Sequence, residues 1–255
     1  MQKETQVSLI NKLKKEVIPG INLFETILFS ITTVIGMILF LISVIGTGNN
    51  EWKVITSNTL MLIDIPLGIL AATFLSKRSK IAPLLLFIDA LLYGIVNLLN
   101  SHYVLGIVNT IIIPGIFLIA YFTIWSKSKL KEVETKKLTI KTGSIILLSI
   151  ILISMMFGFI LPVIFDSINN TYETEWLNKY NIWFDSFAAT LMIFATISSV
   201  LRYRETWIIY MISNIMKIIL FTMLLIMGEG ADGLLLLLSL AYLFNTIFGL
   251  FVWSK

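Results

Sequence analysis

Apolar runs long enough to cross a bilayer recur eight times along the chain, at about 22–45, 57–75, 81–100, 103–126, 143–165, 182–201, 207–227 and 233–253. Each supplies the roughly 20 residues that a helix rising 1.5 Å per residue needs to cover the hydrocarbon. The pattern predicts an all-α, polytopic membrane protein of about eight transmembrane helices. Pro19 and Gly20 break whatever helix precedes the first run. That run is too long for a signal-peptide core and lacks an A-x-A cleavage site, so it reads as a retained span.

The segments between the runs alternate in charge. With the N-terminus inside, the cytoplasmic pieces hold 4 (1–21), 3 (76–80), 6 (127–142), 2 (202–206) and 1 (Lys255) Lys or Arg, sixteen of the nineteen in the chain. Lys53 and Lys179 fall outside, and Lys217 lies within a span. This positive-inside bias predicts an inner (plasma) membrane protein with both termini cytoplasmic and 166–181 external. A mean hydropathy of +0.92 agrees with that class. The net charge of +4 sits in these loops and reflects topology, so the lipid bilayer is an expected partner and nucleic acid is not. There is no cysteine and a single histidine, His102, which excludes thiol chemistry and a His/Cys metal site. No Walker, H-E-x-x-H or G-x-S-x-G motif occurs, so neither an enzyme nor a cofactor is expected.

An internal repeat follows. The turn LSKRSK (75–80) corresponds to LRYRET (201–206) at an offset of 126, and Trp125-Ser126-Lys127 recurs as Trp253-Ser254-Lys255 at 128. Asp89 lies 125 before Asn214. Spans 2–4 and 6–8 thus read as two copies. Three spans are odd in number, so the extra span five between the copies sets them parallel. The expected plan is 3+1+3 with one added N-terminal helix: 1–54 as the N-terminal segment and first helix, and 55–255 as the core. The core divides into a first repeat (55–127), a linker with its own span (128–180) and a second repeat (181–255).

The most informative stretch is 201–221, where a basic turn meets Trp207, Tyr210, Asn214, Lys217 and Phe221 at steps of three or four residues, one stripe of a helix. Exposure of Asn or Lys to lipid costs several kcal/mol, so the stripe faces protein or a water-filled cavity. It reads either as a helix–helix seam joined by polar side chains or as the wall of a pocket for a flat ring. Tyr242, Asn245, Thr246, Gly249 and Trp253 make a second stripe in span eight, with Pro114, Phe117, Tyr121 and Trp125 its counterpart in span four. Pro114 is expected to kink its helix. Asp89, Tyr93, Asn97 and Asn100 share a face of span three, with the two asparagines expected at the outer interface. Asp89 and Lys217 are both mid-span and are expected to pair. Asp64 has no evident partner, and Glu25 is expected to snorkel to the interface.

The spacing Trp207-x-x-Tyr210-x-x-x-Asn214 after a basic turn resembles the W-x-x-W-x-x-x-N signature of the Pnu-type vitamin transporters, with Tyr210 where the family usually has a second Trp. Gly249-x-x-x-Trp253 resembles the G-x-x-x-W closing the family's last span, and Tyr121 replaces that Gly in the first copy. The 3+1+3 plan is similar to the family's fused pair of three-helix units, as in the SWEET sugar transporters. The resemblance covers roughly 55–255. It implies a facilitator for a small vitamin or nucleoside, nicotinamide riboside first, working by alternating access with intracellular phosphorylation trapping the product. By the same resemblance Trp207 and Tyr210 stack on the ring, and Asn214, Asn245 and Tyr242 bond its polar groups, with Asp89 and Tyr93 nearby. A pyridinium ring would be repelled by Lys217 unless Asp89 neutralises it; otherwise a neutral ligand is favoured. The alternatives are a vitamin-binding subunit of an ATP-driven importer and a proton-coupled riboflavin, thiamine or nucleoside carrier using Asp89 or Asp64. Homo-oligomerisation is compatible with all three.

Overall fold

A computed structural model describes residues 20–46, 52–125, 135–169, 176–226 and 232–254. The basic N-terminal segment, residues 127–134 and Lys255, on which part of the charge count rests, lie outside the described residues, as do residues 170–175. Eight helices follow one another: α1 (Leu23–Leu41), α2 (Trp52–Ser76), α3 (Ala82–Leu99), α4 (Tyr103–Trp125), α5 (Ile140–Asn169), α6 (Trp176–Val200), α7 (Thr206–Ile226) and α8 (Asp232–Ser254). Each contains a stretch long and apolar enough to span a membrane, close to the runs read from the sequence.

Local chemistry explains where several of them begin and bend. Asn22 caps α1 in a capping box: its side chain accepts from the Glu25 N–H at 2.9 Å, and its own N–H donates back to Glu25 at 2.7 Å. In α4 the backbone widens into a π turn at Val108–Ile112 just ahead of Pro114. A proline has no N–H to give and its ring excludes the carbonyl four residues back, so the helix must open there.

Six helices close into a ring. Each of α2–α3, α3–α4, α6–α7 and α7–α8 packs side by side, and the contacts α4–α6 and α8–α2 seal the circle. α1 lies outside on the α2–α8 seam, and α5 lies outside on α6. Only 11% of the α1 span and 17% of the α5 span is buried, against 33–56% for the other six, which identifies the two as peripheral. α5 nevertheless docks by shape. A Cβ on Gly158 would fall 2.5–2.6 Å from ring atoms of Trp183, whose edge meets Phe159 at 4.9 Å.

The two basic turns share one geometry. After α2, the Arg78 N–H donates to the Leu75 carbonyl and the Ser79 N–H to Phe74, both at 2.9 Å. After α6, the Arg202 N–H donates to Ser199 at 3.1 Å and the Tyr203 N–H to Ser198 at 2.9 Å. Both are Schellman caps with arginine in the left-handed position, φ 58° and 67°, where glycine is usual. The structural offset is therefore 124 residues, which aligns Arg78 with Arg202. The sequence offset of 126 aligned Arg78 with Arg204.

Of the polar groups expected at the interfaces, Glu25 and Asn97 are buried, while Asn100 at the end of α3 is half-buried. Glu25 is 2% exposed and pairs with Lys77, tying the start of α1 to the α2–α3 turn. Asn97 is fully buried and donates to the Tyr93 carbonyl at 2.7 Å, while Asn100 donates to Ser57 Oγ at 2.9 Å and joins α3 to α2. Each makes a bond through one side-chain atom, whereas Glu25 Oε1 and Asn97 Oδ1 have no partner among the described residues.

Candidate substrate site

The ring lines a cavity of about 50 Å³ to which all six of its helices contribute. That is room for a few water molecules, well below the roughly 300–1,000 Å³ of small-molecule sites, so a vitamin requires the walls to part. The wall is mostly apolar, formed by side chains such as Leu75, Leu86, Phe117 and Met192. The polar groups come from three helices: Trp207, Tyr210, Asn214 and Lys217 from α7, Asp89 from α3, and Tyr242 and Thr246 from α8. The helical spacing read from the sequence puts the four α7 residues on one inward face, as expected for a stripe that shuns lipid.

Trp207 is held on three sides. Gly249 of α8 lies against its ring so closely that a Cβ there would sit 2.5–2.6 Å from three indole atoms. Trp253 meets it edge to face at 5.5 Å and 84°, and Tyr210 lies 6.1 Å away. Trp253 is anchored in turn, its Nε1 donating to the Ser76 carbonyl at 2.9 Å. The Trp207 Nε1 has no acceptor among the described residues. Tyr210 shares a hydroxyl–hydroxyl bond of 3.2 Å with Thr196 of α6. Asn214 is 3% exposed and lines the cavity, and its side-chain amide makes no hydrogen bond among the described residues. A buried amide without a partner is costly in a finished core. Beside an aromatic wall it is a donor and acceptor set out for a ligand.

The charges sit deeper, ten residues or roughly 15 Å along α7 from Trp207. Asp89 and Lys217 do not meet as an ion pair. Tyr242 stands between them: its hydroxyl donates to the Asp89 carboxylate, and the Lys217 Nζ lies 5.5 Å over its ring and 5.3 Å over that of Tyr93. A desolvated cation–π contact contributes about 2 kcal/mol, so two aromatic faces offset part of the cost of burying the ammonium. Gly68 of α2 makes this possible, since a Cβ there would strike both the Tyr242 hydroxyl and Asp89.

Five of the seven residues singled out from sequence, Trp207, Tyr210, Asn214, Tyr242 and Asp89, thus line one cavity. Two stand behind the wall. Asn245 donates to the Ile69 carbonyl at 3.2 Å, and Tyr93 lies beneath the ammonium. Gly68 escaped the sequence reading because a lone glycine in an apolar span carries no signal of what approaches it. Asp185 escaped as well. It receives the Val104 and Leu105 N–H groups at 3.0 and 3.2 Å, satisfying the free donors at the start of α4.

At the end of the bundle that carries the basic turns, each arginine crosses to the other half of the ring. The Arg78 guanidinium lies 5.5 Å over Trp253, and that of Arg202 lies 5.7 Å over Trp125. Burial draws both guanidiniums below their ordinary pKa, and the charge of Arg78 pushes Arg202 further the same way. The linker also closes on this end. Lys136 exchanges backbone hydrogen bonds with Arg202 and Arg204 at 2.9 and 3.0 Å, and the Leu138 N–H donates to Glu205 at 3.1 Å.

Comparison with known proteins agrees with this architecture. A crystal structure of the vitamin B3 transporter PnuC superposes with a TM-score of 0.68, covering 95% of each chain at 20% identity. The nicotinamide riboside transporter PnuC of Neisseria mucosa is 24% identical over 198 residues, 74% of this chain and 69% of that one. The family model described as nicotinamide mononucleotide transporter matches residues 58–255, the ring of six helices with its linker and α5. On the strength of that match the chain belongs to the nicotinamide mononucleotide transporter family, a family of transporters and not of enzymes.

Proposed function

We propose that this chain carries a small vitamin or nucleoside with a flat ring across the inner (plasma) membrane, nicotinamide riboside being the first candidate. The observation that carries the reading is the unpartnered Asn214 amide set beside Trp207 and Tyr210 on one wall of the cavity. The ring stacks on the aromatic pair, and Asn214 bonds its polar edge, with Tyr242 and Asp89 reaching the polar remainder. Asn245 and Tyr93 shape the wall from behind. The name of the Neisseria relative supports nicotinamide riboside in particular.

Residues 55–255 act as the carrier, with 55–127 and 181–255 as parallel copies joined by 128–180. The shared Schellman turns and the crossed Arg–Trp contacts support that division. Transport proceeds by rocking of the two trios about the cavity, with both termini cytoplasmic and phosphorylation inside the cell trapping the product. Calorimetry on the purified protein tests the site. Stacking on one aromatic contributes about 0.5–1.5 kcal/mol beyond burial, and an unpaired buried polar group costs about 1–3 kcal/mol. Trp207→Ala and Asn214→Leu are each expected to weaken nicotinamide riboside binding by about tenfold or more, while lipid-facing Ile208→Ala leaves it unchanged. Unaltered affinity in both site variants would make the stripe a packing seam.

A further inference from the structure

One cation in the cavity wall has no role in the ligand contacts described so far. Lys217 is 1% exposed and lines the same cavity as Asn214. It stands in the middle of α7, nine residues from the nearer end, Ile226. That is about 13 Å along the axis, farther than a lysine side chain reaches, so the ammonium cannot snorkel to water. Among the described residues it makes neither an ion pair nor a hydrogen bond. It has instead the ring faces of Tyr93 and Tyr242, at 5.3 and 5.5 Å. A π face attracts the charge, but the N–H groups of the ammonium still lack an oxygen acceptor.

A lysine held in the middle of a membrane without a carboxylate partner marks a place where a ligand or ion is handled. Its neighbour on the helix points to which ligand. Asn214 precedes Lys217 by three residues, so the two share one face with roughly 5–6 Å between their Cβ atoms. Because both belong to one helix, that spacing is kept when the cavity walls part. An amide and an ammonium side by side, neither bonded to the protein, match a planar group that carries two polar atoms on a ring edge. We propose that Lys217 reads the substituent on the ring edge that Asn214 bonds, and that it makes the cavity prefer a flat-ring ligand bearing a carboxylate to the same ligand bearing a carboxamide. This preference rests on the cavity being the substrate site, and it names the ring that the site favours.

Shape admits both groups. A carboxylate gives one oxygen to each side chain, and a carboxamide gives its oxygen to Lys217 and its NH2 to the Asn214 oxygen. Charge separates them. The ring itself is common to the two ligands, so its stacking, its repulsion from Lys217 and its attraction to Asp89 cancel from their ratio. What remains is an ionised oxygen against a neutral one in front of the ammonium. Asp89 also lines the cavity and opposes a carboxylate, but Tyr242 stands between the two charges. The Tyr242 hydroxyl engages Asp89 while its ring faces Lys217, so the charge not yet met by an oxygen is the positive one. Exchanging a neutral acceptor for an ionised one strengthens such a bond by about tenfold in affinity.

Calorimetry on the purified protein with two probes tests this: nicotinamide riboside, and nicotinate riboside, which has a carboxylate in place of the carboxamide. The parent is expected to bind the carboxylate about tenfold more tightly. In Lys217→Met, which keeps the length of the side chain without its charge, carboxylate binding is expected to fall by about tenfold or more and the preference to vanish. A lysine with a merely structural role would weaken both ribosides alike and leave their ratio unchanged, and that result overturns the proposal. Should Lys217→Met fail to fold, Lys217→Gln keeps a donor without the charge and carries the same expectation, and the comparison in the parent decides without any variant. A parent that binds the carboxamide as tightly as the carboxylate, or more tightly, overturns the role given to Lys217 and leaves the cavity as the substrate site. Failure of both ribosides to bind overturns the substrate reading, and the preference with it.

Discussion

Gly249→Ala adds one methyl group at the point where α8 touches the candidate site. The new Cβ would lie 2.5–2.6 Å from three atoms of the Trp207 ring, and ordinary contact begins near 3.4 Å. The indole must therefore retreat by the difference, about 0.9 Å, or α7 and α8 must separate by as much. Retreat away from Gly249 is limited by Trp253, whose ring lies 5.5 Å from that of Trp207, so the displaced indole moves toward the cavity. Overpacking of this kind costs about 1–3 kcal/mol of stability. A stacking surface shifted by that distance forfeits much of its contact, and loss of about 0.5–1.5 kcal/mol corresponds to roughly two- to tenfold weaker binding. Thermal unfolding in detergent measures the first effect and calorimetry with nicotinamide riboside the second. Trp207→Phe in the same background removes part of the ring that the methyl strikes, so the two stability losses are expected to be less than additive. Additive losses would show that the methyl acts elsewhere. Unchanged stability and affinity in Gly249→Ala would show that the glycine does not seat the indole at all.

Three further outcomes follow from the same geometry. Glu25→Gln leaves the Lys77 ammonium without its partner; the Glu25 carboxylate is almost fully buried, and the variant is expected to lose about 3 kcal/mol in thermal unfolding, with Lys77→Gln in the same background restoring part of it. Tyr242→Phe removes the hydroxyl that donates to Asp89 but keeps the ring under Lys217, so stability is expected to fall by about 1–3 kcal/mol, and no change would mean that Asp89 is satisfied by other groups. For topology, Lys137→Cys is expected to resist a membrane-impermeant thiol reagent in intact cells while Ser101→Cys, at the opposite end of the bundle, reacts; labelling of Lys137→Cys from outside would invert the orientation drawn from the charge count.

The sequence by itself determined the class, the eight spans and the inward stripe of α7. Span length is a local property of consecutive residues, and a helix converts spacings of three and four directly into a shared face. It also carried the family signature, because Trp207, Tyr210 and Asn214 belong to a single helix. What it left open were relations between helices. Asp89 and Lys217 read as an ion pair because both lie mid-span. Only the packing of α8 against α2 puts the Tyr242 ring between them, and it does so because Gly68 vacates the space its hydroxyl needs. Asp64 had no visible partner, and in the structure it is fully buried with neither oxygen hydrogen-bonded among the described residues. The offset of the two turns was misjudged by two residues, since letters align on identity whereas Schellman caps align on the residue that adopts positive φ. Asn97 and Glu25 looked like interfacial groups, yet both are buried, Asn97 donating to the Tyr93 carbonyl of its own helix and Glu25 accepting from Lys77. Membrane depth can be counted along a chain. Which side chain meets which depends on the rotation and closure of the whole ring, and the tertiary structure alone decides that.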